Sequence, residues 1–128
     1  MENQGSKNFN EQMRQRTQKM SIQVEELVKS RKIPMLSRHA VLQVVRSSSS
    51  VAANYRASTR ARSYAEFFAK ICIVVEECDE TQYWFDYLVG TGYLSLPESR
   101  NTKEEILQLV KIFTTMKKNI EKKLNEKI

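Results

Sequence analysis

The chain has 128 residues, a net charge of +6, 41% hydrophobic and 28% charged residues. That length suits one domain with one core. With only 3 glycines and 2 prolines, it has too few turn formers for a β-sandwich or a doubly wound α/β fold, so helices are expected.

The first segment is Met1–Asn10, which is polar and lacks the apolar stretch of a secretory signal. It reads as a flexible N-terminal extension. No run of about 18 apolar residues follows anywhere that could span a membrane, and the expected location is the cytoplasm. From about Asn10 to Lys32, Met13, Thr17, Met20, Val24, Leu27 and Val28 recur at steps of three and four. That is the spacing of one helix face. Pro34 ends the run, because a proline and its predecessor both resist continued helix.

The second helix is expected from about Ser37 to Arg62, with Val41, Val44, Val45, Ser48, Val51, Ala52 and Tyr55 as its inner stripe. The run Ser47-Ser48-Ser49-Ser50 resembles a linker when read alone. The valine spacing passes through it without a phase break, however, and no Gly or Pro interrupts. Small side chains there let a neighbouring helix approach closely.

The third helix is expected from about Tyr64 to Val89. Ser63 and Glu66 form a capping box at its start, and Gly90 and Gly92 stop it. A fourth is expected from about Lys103 to Glu126, capped by Thr102 with Glu105 and striped by Ile106, Leu109, Val110, Phe113, Met116, Ile120 and Leu124. Short connections favour antiparallel neighbours. The expected fold is therefore all-α, a single antiparallel up-down-up-down four-helix bundle spanning residues 1–128.

The third segment carries more apolar surface than one bundle face needs. At about 100° per residue its apolar arc covers roughly twice the stripe that a packed helix hides. Surplus aromatic surface on a small protein marks an interface, which makes Tyr83, Trp84 and Tyr87 candidate anchors of a homo-oligomer.

Charge is sorted by segment. Residues 35–62 hold Arg38, Arg46, Arg56, Arg60 and Arg62 and no acid, whereas residues 63–88 hold Glu66, Glu76, Glu77, Asp79, Glu80 and Asp86 against Lys70 alone. One reading is arginine–carboxylate pairing between neighbours, which fixes register more than it stabilises. The other leaves Arg46, Arg56, Arg60 and Arg62, extended by Lys111, Lys118 and Lys122, as a nucleic-acid surface. Arg56 and Arg60 stand four apart on one expected helix face, and the planar guanidinium fork suits phosphate.

Catalytic signals are missing. His39 is the only histidine and has no spaced ligand partner. Glu76, Glu77 and Glu80 lack the Glu-x-x-His motifs of di-metal bundles. Cys72 and Cys78 match no redox or metal spacing. No metal, cofactor or enzyme activity is expected.

The segments Val51-Ala52-Ala53-Asn54-Tyr55-Arg56-Ala57, Arg60-Ala61-Arg62-Ser63, Ala65-Glu66-Phe67, Glu76-Glu77-Cys78-Asp79-Glu80-Thr81 and Tyr83-Trp84 resemble the bacterial four-helix-bundle family of 23S rRNA intervening-sequence proteins, also labelled S23. The resemblance covers roughly residues 15–125. It implies the same bundle and a homopentamer. It also implies a fold similar to the accessory proteins of diversity-generating retroelements, which bind a reverse transcriptase and nucleic acid. Partners implied by analogy are thus RNA or DNA, or a protein such as a reverse transcriptase. Asn54, Arg56, Glu76, Glu77 and Glu80 match the family's polar positions and are expected to form a packing cluster between neighbouring helices.

Overall fold

A computed structural model describes residues 3–29 and 32–126. It contains four α-helices: α1 Gln4–Lys29, α2 Arg38–Ser58, α3 Tyr64–Gly90 and α4 Leu96–Glu126. A short 3₁₀ turn, Met35–Ser37, precedes α2. Each helix packs on its chain neighbours and α4 returns to α1, so the four close an antiparallel bundle. No strand occurs among the described residues.

The inward stripes follow the expected periodicity. Met13, Thr17, Met20, Val24 and Val28 are buried on α1. Val41, Val44, Ser47, Ser48, Val51 and Tyr55 are buried on α2. The tetraserine run is therefore continuous helix. Thr81 Oγ1 lies 2.9 Å from Ser47 Oγ and 2.8 Å from the Glu77 carbonyl. A hydroxyl has one proton, so Thr81 donates to the carbonyl and accepts from Ser47. Both buried hydroxyls are thereby satisfied where α2 meets α3. Tyr55 is fully buried against Phe113, with ring centroids 5.3 Å apart, and its hydroxyl donates to Asn10 Oδ1 at 3.2 Å.

Helix boundaries depart from the sequence expectation in three places. The polar N-terminus is not an extension from residue 4 onward, because Gln4–Asn10 are already helical; Met1 and Glu2 lie outside the described residues. Second, α2 stops at Ser58 instead of running to Arg62. The hydroxyls of Ser58 and Thr59 turn back on the carbonyls of Tyr55 and Arg56, at 2.6 and 2.7 Å. Ser63 must also be extended to cap α3 through the Glu66 amide at 3.0 Å, which a continuous helix forbids.

Third, α4 begins at Leu96. Its capping box is Ser95 with Glu98, whose carboxylate accepts from the Ser95 amide at 2.8 Å. Pro97 falls in the first turn, where its missing N–H costs nothing. The expected Thr102–Glu105 box does not form. Thr102 is buried inside the helix and Glu105 pairs with α1. At the end of α3, Gly90 remains helical and Gly92 takes the left-handed conformation, φ 83°.

Candidate functional site

Two surfaces stand out, one at each end of the bundle. The first is apolar. The antiparallel order brings the end of α1, the start of α2, the end of α3 and the start of α4 together. On this end Leu36 is 86% exposed, Leu42 68% and Tyr83 59%, with Met35, Tyr87 and Leu96 also exposed. His39 of α2 meets Trp84 edge-on at 5.4 Å and Tyr87 at 6.0 Å. Tyr83 meets Trp84 at 4.9 Å. The three proposed anchors thus form one aromatic group, but they differ in role. Trp84 is half-buried against the core, while Tyr83 and Tyr87 face outward. Sequence reading missed Met35, Leu36, Leu42 and Leu96. Leu42 carried a signal, since it stands beside the inward valine stripe and not on it.

The second surface is basic, and the seven candidate cations do not converge on it equally. Arg46 is spoken for, with Glu77 at 3.0 Å and Glu80 at 2.7 Å. Its guanidinium pKa is raised, first by the hydrogen bond to Glu80. It realises the inter-helix pairing reading and not the phosphate one. Arg62 bonds Glu66 at 3.3 Å from an exposed bend outside any helix. Lys118 and Lys122 line one shallow surface with Glu121 and Glu126, so that patch is charge-balanced. Lys111 lies beside a different, largely apolar cleft with Phe9, Phe67 and Met116.

Arg56 and Arg60 remain. They do not share a helix face, because Arg60 follows the end of α2. Even so, both line one groove between α1 and α2, opposite Glu11 and Arg14. Arg14 is engaged, donating to Glu11 Oε2 at 2.8 Å and to Thr59 Oγ1 at 2.9 Å. The Glu11 carboxyl is held below its usual pKa, first by the Arg14 hydrogen bond and then by Gln15. Among the described residues, neither Arg56 nor Arg60 has a carboxylate within ion-pair reach.

The expected five-residue polar cluster does not assemble. Asn54 Nδ2 donates to Ser50 of its own helix, to the carbonyl at 3.0 Å and to Oγ at 2.9 Å. Arg56 stands two residues on, about 200° around the helix, and faces α1 instead. Glu77 and Glu80 take Arg46, and Glu76 is exposed. The other seams have their own ties. Arg16 grips Glu105 with two bonds, at 3.0 and 2.7 Å, and reaches Gln108 at 3.1 Å. Lys103 stands 3.6 Å from Asp86.

His39 is exposed and faces the rings of Trp84 and Tyr87. Cys78 is buried and its thiol is pushed up to about 12 by that burial, the opposite of an activated thiolate. Among the described residues, no group of three or more His, Cys, Asp or Glu is placed to hold a metal ion. No described helix is long and apolar enough to cross a membrane.

The fold defines the class as an all-α four-helix bundle. The chain belongs to the 23S rRNA-intervening sequence protein family, whose sequence pattern matches residues 9–115. Its fold is similar to that of a protein of unknown function from the S23 ribosomal protein family of Bacteroides thetaiotaomicron VPI-5482. That likeness has a TM-score of 0.72 and 24% identity over 82% of this chain and 97% of the other. No curated protein matches this sequence.

Proposed function

We propose that the protein is a non-enzymatic, self-associating bundle that binds nucleic acid, RNA in the first instance. The observation that carries this reading is the polarity of the bundle. Exposed tyrosines and leucines gather at one end, and Arg56 and Arg60, neither with an ion-paired carboxylate among the described residues, share a groove toward the other. Burying the apolar end between copies removes it from water, and it leaves the cations of each copy facing outward. The ring of five is the assembly that the family resemblance implies. Membership of a family named for an rRNA insertion supports RNA over DNA.

A polyanion-binding surface of this kind works through counterion release. Binding to heparin and to an unstructured RNA should therefore weaken steeply and linearly on a log–log plot against salt. Binding that ignores salt, or its absence near 150 mM salt, would overturn the nucleic-acid half of the reading. In that case the apolar end becomes a seat for a protein partner such as a polymerase. Stable capture of that partner after nuclease treatment would then be the result to seek.

A further inference from the structure

We propose that the groove between α1 and α2 is a track for the sugar–phosphate backbone of single-stranded nucleic acid, with Arg56 and Arg60 as its phosphate contacts. The inference rests on the nucleic-acid reading above and assigns its site.

The groove encloses about 870 Å³. Its α1 wall runs from Glu11 to Ile22, a length of about 16 Å at the helical rise. Ser49, Ala52 and Ala53 line the α2 side, and these small side chains keep the groove open to its floor. Among the described residues the only anion lining it is Glu11, and that carboxylate is already taken by Arg14 at 2.8 Å and Gln15 at 3.1 Å. Glu11 offsets Arg14, and Arg56 and Arg60 stay uncompensated. The lysine patch of α4, by contrast, is cancelled by Glu121 and Glu126. The α1–α2 groove therefore carries a net positive charge.

The lining also says what kind of strand fits. Guanidiniums, the Gln18 amide and the Ser49 hydroxyl offer donors to phosphate oxygens. Among the described residues no aromatic ring lines the groove, so bases find no stacking platform and sequence is not read. A cleft between two helices packed about 8–10 Å apart admits one strand, whereas a duplex would touch only its rim. The aromatic end is distant. His39 and Arg56 are 17 residues apart along α2, about 25 Å. Association through Tyr83 and Tyr87 thus leaves the Arg56 end open.

The test uses the full chain and fluorescence anisotropy with labelled U12 and dT12 oligonucleotides across a salt series. Arg56→Gln/Arg60→Gln should flatten the log–log salt slope by about 1.4, at about 0.7 per phosphate contact on a single strand. Relative to 1 M salt, that is about a 25-fold loss of affinity at 0.1 M. Lys118→Gln/Lys122→Gln should stay within about twofold of the wild type. U12 and dT12 should bind within about threefold of each other. If the lysine variant loses affinity and the arginine variant does not, the groove assignment fails while the nucleic-acid reading stands. Discrimination beyond tenfold between U12 and dT12 would overturn backbone-only recognition. If the wild type binds neither oligonucleotide, the underlying reading falls first. Both arginines are exposed, and unchanged circular dichroism will show that the variant is folded.

Discussion

Replacing Ser47 with leucine tests why a run of four serines is helix and not linker. Ser47 and Ser48 are both 0% exposed, and Thr81 Oγ1 approaches Ser47 Oγ to 2.9 Å. A leucine there must displace α3. Overpacking of a filled interior costs about 1–3 kcal/mol. The lost hydroxyl contact adds about 1 kcal/mol and no more, because Thr81 keeps the Glu77 carbonyl at 2.8 Å. The total is about 2–4 kcal/mol, or a melting temperature lower by about 10 °C for a domain of this size. Ser49→Leu is the matched control. Ser49 is exposed, and leucine is the better helix former, so its stability should stay within about 0.5 kcal/mol. Urea and thermal unfolding followed at 222 nm, at one fixed protein concentration, read the difference. Equal stability of the two variants would refute close approach of α2 and α3 at this point.

Three further outcomes follow from named contacts. Ser63→Ala should cost about 1 kcal/mol in urea unfolding, because the Glu66 amide loses its acceptor at 3.0 Å, whereas Ser63→Asp should be near neutral; equal loss in both would contradict the capping role. Tyr55→Phe should cost about 0.5–1.5 kcal/mol through the hydroxyl bonded to Asn10 at 3.2 Å, and a stability gain would count against that bond. Cys78 should resist thiol reagents in the native state and react once the chain is unfolded. Its thiol is raised from 9.0 to about 12 in the folded state. The neutral form is thus favoured by folding, the stabilisation is whole below pH 9, and it declines as pH rises toward 12. A Cys78→Ala variant should lose that part of the alkaline slope, and an identical slope would contradict burial as the cause.

The core was legible in the sequence because burial imposes a period. Met13 to Val28 and Val41 to Tyr55 repeat at the helical step, and every Gly or Pro lay outside their stripes. Helix ends were less legible. The same Ser/Thr–x–x–Glu pattern occurs at Ser63, Ser95 and Thr102, and only packing decides which copies cap. Thr102 is pulled into the core, leaving Ser95 to start α4. Charged residues were the least legible, since a guanidinium reaches partners that periodicity cannot name. Arg46 and Arg56 look alike in the chain, yet one lies against two carboxylates and the other lines an open groove. The exposed apolar end was half visible. Tyr83 and Tyr87 showed as excess girth on α3, but Met35 and Leu36 follow a proline in a short turn where no period applies.

The apolar end is where the account is most exposed to test. Multi-angle light scattering at micromolar concentration measures the mass of the particle directly. Self-association predicts a multiple of the 15.0 kDa chain, reduced when Tyr83 and Tyr87 are both changed to lysine. A wild-type particle of 15.0 kDa at every concentration would contradict it.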